Sequence, residues 1–417
     1  MSARRTAAGR IAGSITGFMT VLLVACQPAG PSVAPGGSLG PTAGGALGNR
    51  LQPVGPMLVA RAVHTETTLS DGRVLIAGGC TTDGCTLGSS GGATAELFDP
   101  LTRRFSATGR MLLSRDDHRA VLLNDGRVLV AGGWTASGVT AATELYDPRT
   151  GRFTAGPMMH SPRAAAAAIT LRNGRVLLLG GSADERRAIE TTELFDPSTN
   201  TFMATGRMAV PRAVPSAALL PDGRVLVAGG LQDRTVVASA EVYDPATGSF
   251  SPVGSMGSPR YKSAAVTLLD GSVLVIGGSA DIEGQHVFSS TERYEPATRS
   301  FAAGPALRWP RYKLIDSVVR LANGDVLVAG GGPQAEILEQ ATGRFRAVDG
   351  ELGATRLFLT AAPVNPSGAL LVGGYDRAIR PTAQAWLFAG ALADRVTKPG
   401  GVVAEQPLEE QNQPPYK

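Results

Sequence analysis

The chain has 417 residues, 43% of them hydrophobic and 18% charged, which is enough apolar side chain to bury a large core and too much for a chain disordered throughout. The formal charge of +4 falls to +1 when the three arginines of the first 25 residues, Arg4, Arg5 and Arg10, are set aside. Bulk attraction to nucleic acid is thereby excluded as a mode of action. Glycine is abundant, at 53 residues and without a collagen period, so it marks turns.

Those three arginines precede an apolar stretch over residues 11–25 that is too short and too interrupted by glycine to span a membrane. Residues 1–25 therefore read as a signal peptide. The stretch ends in Leu23, Val24, Ala25 and Cys26, which resembles the lipobox of bacterial lipoproteins at all four positions. The resemblance implies cleavage before Cys26, a diacylglycerol on its thiol and a membrane partner reached through that lipid. Several acyl chains, at about 0.8 kcal/mol per buried CH₂, anchor a protein stably. Gln27 follows where an aspartate would signal retention, so the resemblance further implies the outer membrane of a bacterial cell envelope. Residues 26–49 are rich in Pro, Gly and Ser and read as a flexible tether. Residues 391–417 read as a disordered C-terminal tail. Cys80 and Cys85 share the segment CTTDGC, and beyond the cytoplasm a local disulfide between them is expected. With no histidine beside them they make no zinc site, and neither a metal nor a cofactor is expected.

From residue 50 to residue 390 the chain repeats itself. A turn dipeptide, a β-rich run and a glycine pair recur as DGRVLIAGG from Asp71, DGRVLVAGG from Asp125, NGRVLLLGG from Asn173 and DGRVLVAGG from Asp222. DGSVLVIGG from Asp270, NGDVLVAGG from Asn323 and a weaker SGALLVGG from Ser367 complete seven copies. Each copy predicts four strands. An apolar run leads into Asp-Gly or Asn-Gly, which supplies the positive φ of a tight hairpin. The second strand is RVLVAGG-like. The third ends in ELFDP or a relative, where Asp-Pro makes another turn. The fourth opens at Phe105, Phe153, Phe202, Phe250, Phe301 or Phe345.

A period near 50 with four strands and Gly-Gly resembles the kelch repeat, the blade of a β-propeller, with phenylalanine where that family commonly has tryptophan on the fourth strand. The expected fold is all-β, a seven-bladed kelch-type propeller. The seventh copy has no fourth strand after residues 384–388, whereas Pro53, Val54, Gly55 and Met57 parallel Pro252, Val253, Gly254 and Met256. The N-terminal segment is therefore expected to supply the missing outer strand and to cover an edge that would otherwise template aggregation. A monomer is expected.

Strand alternation puts the short Asp-Gly and Asp-Pro turns on one face, and on the other the links between strands two and three and between blades. The second face has links of very different length, from 16 residues between Gly79 and Glu96 to 4 between Gly331 and Glu336, so recognition is expected there. An arginine precedes every inner strand: Arg61, Arg115, Arg163, Arg212, Arg260, Arg311 and Arg356. Six third strands repeat a glutamate (Glu96, Glu144, Glu193, Glu241, Glu292, Glu336), and a charge repeated in every blade suits scaffold pairing better than an anion funnel. Residues that are not repeated are the better site candidates. They are Arg260-Tyr261-Lys262 and Arg311-Tyr312-Lys313 on adjacent blades, with His64, His118 and Asp316 at strand starts and Asp116-Asp117 opposing. A cationic, aromatic patch of this kind suits an acidic glycan or a carboxylated peptide.

Two enzymatic alternatives carry less. The kelch resemblance extends to copper-radical oxidases similar to galactose oxidase, for which His64, His118, Tyr261 and Tyr312 supply residue types, without the family's adjacent Tyr-His or a cysteine beside a tyrosine. A sugar epimerase or lyase would need an axial base, with Glu66, Asp316 or His118 as candidates. The reading adopted from sequence is a non-catalytic binding module for a glycan or protein, with no catalytic residue assigned and a carbohydrate-active enzyme as the alternative.

Overall fold

In each Asp-Gly or Asn-Gly turn the glycine holds positive φ, for example 86° at Gly72 and 85° at Gly126. The preceding aspartate fixes the turn from within. Asp71 Oδ1 accepts the Arg73 N–H at 3.0 Å while Oδ2 accepts its guanidinium, and Asp125 with Arg127 repeats this. Such hairpins join the first two strands of the first six units. The computed structural model describes residues 49–84, 90–184, 187–364 and 368–390, and in them the seven units are seven four-stranded antiparallel sheets. The segments expected to be a signal peptide with Cys26, a tether up to residue 48 and a C-terminal tail from residue 391, together with Cys85, lie outside the described residues.

The inner strands are Thr65–Thr68, Arg119–Leu122, Ala167–Thr170, Ser216–Leu219, Ala264–Thr267, Val318–Arg320 and Thr360–Val364. They stand around a common axis, each beside the inner strands of its two neighbours. The second strands, such as Val128–Ala131 and Val176–Leu179, are buried at every residue because a blade lies on both of their faces. The cores accordingly lie between blades. Leu75, Ala77 and Leu97 of blade one meet Val128, Val130 and Tyr146 of blade two. The phenylalanine of the fourth strand packs on the aromatic residue of the third, with Tyr146 and Phe153 ring centroids 4.7 Å apart and Phe195 and Phe202 5.1 Å apart.

The glycine pairs are where one blade touches the next. A Cβ on Gly78 would lie 2.8 Å from the Arg115 carbonyl oxygen and 2.6 Å from His118 Cε1, and φ there is 67°. The next amide, Gly79 N–H, donates to that same carbonyl at 2.9 Å. The ring closes as the sequence implied: Gly374 of blade seven donates to Arg61 of blade one, and Arg50–Val54 pairs antiparallel with Ala385–Ala389, Leu51 opposite Phe388 and Pro53 opposite Trp386. Leu51 is buried among Val348, Leu371 and Phe388, so the closure is held by apolar packing as well as by backbone hydrogen bonds.

Candidate functional site

The link face is built on the repeated arginines, and six of them are at most 1% exposed. Arg61, Arg115, Arg163, Arg212, Arg260 and Arg311 each pair with the third-strand glutamate of their own blade at 2.7–3.2 Å. Each also donates through Nη1 to the carbonyl of the first glycine of the pair. The glutamate in turn accepts a backbone N–H from the incoming link, as at Leu58, Leu112 and Ala209. Arg356 differs, since it meets Gln384. Arg260 and Arg311, candidates from sequence, thus sit in the framework with their guanidinium groups consumed, and they offer nothing to a ligand.

Two residues after each arginine the backbone turns left-handed. Val63, Asp117, Ala165, Val214, Lys262, Lys313 and Phe358 have φ between 49° and 59°. Each such residue costs about 1–2 kcal/mol outside glycine. Circumferential hydrogen bonds help to hold them, including Ala165 N–H to Asp117 O at 2.8 Å and Val214 N–H to Ala165 O at 2.9 Å. The backbone of this ring is regular and its side chains are not, which is the pattern of a fixed mount carrying variable groups.

On one side of the ring, two ammonium groups gather over one aromatic ring. Lys262 Nζ lies 5.2 Å and Lys313 Nζ 5.5 Å from the Phe358 centroid. Lys262 also covers Tyr261 at 4.7 Å, and Lys313 covers Tyr312 at 5.0 Å. Lys313, 9% exposed, donates to the Tyr375 hydroxyl at 2.9 Å. Neither lysine has a carboxylate within ion-pair distance among the described residues. Burial, and then the charge of Lys262, pull the Lys313 ammonium down to about 7. Burial pushes the Tyr375 phenol upward, so it stays a neutral acceptor. Asp117 is half-buried across the mouth, and burial raises its carboxyl above the usual value against the opposing charges of Lys262 and Arg119. The sequence pointed to Tyr261, Lys262, Tyr312 and Lys313. It did not point to Phe358 and Tyr375, which belong to blade seven and are marked only by their offset from Arg356.

His64 and His118 are placed elsewhere. His64 Nε2 meets the Thr360 hydroxyl at 2.8 Å and His118 Nε2 meets Thr65 at 2.9 Å, so each ring stitches its inner strand to the preceding blade. Burial, followed by the charge of the neighbouring arginine, holds both well below the usual histidine value and therefore neutral. Asp316 pairs with neither lysine. Blade six spans 12 positions from Arg311 to Asn323 where blade one spans 10 from Arg61 to Asp71. The extra length carries Asp316 into the axis, where it pairs with Arg119 at 2.8 Å. Glu66, a candidate base, is tucked between blades one and seven, near Thr360 and Ala362, with both carboxyl oxygens buried. Burial, with Asp316 adding, raises it well above the usual carboxylate range. Cys80 is buried and disulfide-bonded, while its expected partner Cys85 lies outside the described residues.

This architecture is that of a seven-bladed kelch-type β-propeller. The Kelch motif family matches residues 212–257, which run from Arg212 through blade four into the link beyond it. The solved structures similar to this chain include a fungal alcohol oxidase of the AA5 family in complex with copper, with a TM-score of 0.65, 18% identity, and coverage of 84% of this chain and 79% of that one. That likeness is one of fold. No curated protein matches the chain. The residues here do not fit a copper centre of the kind that resemblance implies. Both histidines spend Nε2 on threonines, Tyr261 and Tyr312 belong to the lysine basin, and no three His, Cys, Asp or Glu side chains among the described residues are disposed to hold a metal. No helix among them is long and apolar enough to cross a membrane.

Proposed function

We propose that this propeller is a binding module that takes a carboxylated ligand, an acidic glycan or a peptide carboxylate, in the basin formed by Lys262, Lys313, Tyr261, Tyr312, Tyr375 and Phe358, and that acylated Cys26 holds it at the bacterial cell envelope. One observation carries the reading: the Lys262 and Lys313 side-chain nitrogens converge over Phe358 with no carboxylate within ion-pair distance among the described residues. Cations brought together in a partly desolvated aromatic setting repel each other, and an anion between them relieves that cost. The aromatic rings supply apolar faces for a sugar ring or a side chain. No residue here is assigned a catalytic role.

The test is an array of uronic-acid, sialylated and neutral glycans together with acidic peptides, probed with the wild-type protein and with Lys262→Ala/Lys313→Ala. Retention of carboxylated members over neutral ones, weakened by salt and lost in the double variant, supports the reading. Carboxylate binding that survives the double variant, or an absence of any preference for carboxylates, overturns it.

A further inference from the structure

A scaffold of seven copies makes its exceptions informative. The inner strand begins with Thr65, Ala167, Ser216, Ala264, Val318 and Thr360 in six blades, and with Arg119 in blade two. Blade six carries two extra residues between its arginine and its hairpin glycine, more than any other blade, and Asp316 sits there at φ 55°. These two singular residues meet across the channel, Arg119 Nη1 donating to Asp316 Oδ2 at 2.8 Å from a residue 197 positions away. Arg119 Nε is taken by the Ala166 carbonyl. Arg119 Nη2 and Asp316 Oδ1 have no hydrogen-bond partner among the described residues. Ile315, the other inserted residue, packs against Val63 and Phe358 on one side and Val214 and Tyr261 on the other, and so stoppers the link-face end of the axis.

Behind this stopper lies a cavity of about 540 Å³ that reaches from Arg119 and Asp316 to the strand ends at Thr68 and Leu122. A separate small pocket of about 10 Å³ lies beside Asp316 among His64, His118, Ile315 and Phe358. The Asp316 side chain is 44% exposed, and it lines the larger channel. The walls are narrow-shouldered, with Ala120, Ala168, Ala217 and Ala265 among them.

We propose that the channel is a second ligand site, blind at the link face, whose closed end binds two adjacent hydroxyls of a neutral, monosaccharide-sized sugar through Arg119 Nη2 and Asp316 Oδ1. An ion pair carries no net charge and so favours no ionic ligand. It does place a guanidinium donor beside a carboxylate acceptor, the complement of a diol in which one hydroxyl accepts and the other donates. The cavity volume falls in the range of small-molecule sites, and the wall methyls leave room for a pyranose. This site is independent of the lysine basin, since Ile315 stands between them.

Calorimetric and saturation-transfer NMR titration of the full chain with D-glucose, D-galactose and D-mannose, with gluconate and glucosamine as charged controls, tests the assignment. The expected result is saturable binding of at least one neutral hexose. That binding weakens about tenfold or more in Asp316→Ala and in Arg119→Met and is kept in Lys262→Ala/Lys313→Ala. Ala265→Leu fills the channel from blade five without touching the ion pair, so its loss of binding separates occlusion from misfolding. The methyl glycoside of the bound hexose distinguishes a glycan end, which it mimics, from a free sugar. Flat titrations with all three hexoses overturn the proposal, as does binding indifferent to both Asp316→Ala and Ala265→Leu. A pair that only braces blades two and six would lower the melting temperature of Asp316→Ala while wild-type titrations stayed flat, and that outcome also overturns it.

Discussion

Lys313 of blade six donates to the hydroxyl of Tyr375 on blade seven at 2.9 Å, and no carboxylate lies within ion-pair distance of it among the described residues. The groups against it are Lys262, Tyr312 and Tyr375, with Asp117 opposing Lys262. Below about 7 the folded protein must keep an ammonium that burial and Lys262 disfavour. The unfolded chain keeps the same ammonium freely up to the ordinary lysine value of about 10.4. Between these limits the unfolded chain binds the extra proton, so this group's penalty is full below the window and fades as pH rises through it. Lys313→Met is therefore expected to melt higher than the wild type at about pH 6 and to lose that advantage toward about pH 10. Melting curves across the range check this, and a variant no more stable at low pH than at high pH would refute it.

The buried arginine–glutamate pairs give a second expectation. Arg163 and Glu193 meet at 2.7 Å with side chains 1% and 2% exposed. Arg163→Met removes the cationic partner of a buried carboxylate, which keeps only its hydrogen bonds from His160 and Ser161, and leaves the Gly180 and Thr191 carbonyls without their guanidinium donor; it should cost about 3–5 kcal/mol in urea unfolding, whereas Arg163→Met/Glu193→Leu should recover a large part of that loss. Arg356→Met, whose partner is the neutral Gln384, should cost less than Arg163→Met. Equal losses at the two arginines would show that the ionic partner contributes nothing.

The repeated parts of this molecule were legible because each repeated residue answers a local geometric need in six or all seven blades. Asp-Gly makes the hairpin, the glycine pair lets a neighbouring carbonyl approach, and arginine with glutamate ties link to sheet. The closing strand was legible because Pro53, Val54 and Met57 copy a known fourth strand. What escaped depends on contacts between blades far apart in the chain. Nothing local to Arg119 announces Asp316. The triplet Arg260-Tyr261-Lys262 joins a framework arginine to a mouth lysine, and only the left-handed turn at Lys262, with φ 54°, separates their roles. Phe358 looks like a core residue in sequence and turns out to be the floor on which two lysines from other blades rest.

Lipid attachment is tested away from the propeller. If Cys26 is acylated, wild-type protein expressed in a bacterium with its own leader should partition into the detergent phase and sediment with membranes, and Cys26→Ser should move to the soluble fraction with the propeller still folded. Acyl chains of this size account for stable anchoring without any protein segment in the bilayer. Equal partitioning of the two proteins would remove Cys26 as the anchor.

The closure is the last expectation. Leu51 is 3% exposed, its N–H donates to Asp349 O at 2.7 Å, and its side chain packs with Val348, Trp386 and Phe388. Leu51→Asp puts an unpaired carboxylate into that cluster and, because the same strand covers the outer edge of blade seven, also frees the edge at Ala385–Ala389. The variant should lose more than about 3 kcal/mol of stability and should associate with itself at concentrations where the wild type stays monomeric. Gln52→Asp, one position on and pointing to the other side of the strand, serves as the control, since Gln52 is only half-buried. Light scattering and urea unfolding of the three proteins decide the matter. If Leu51→Asp behaved like Gln52→Asp, the N-terminal strand would be a passenger on blade seven, and the ring would have to owe its integrity to the contacts between inner strands alone.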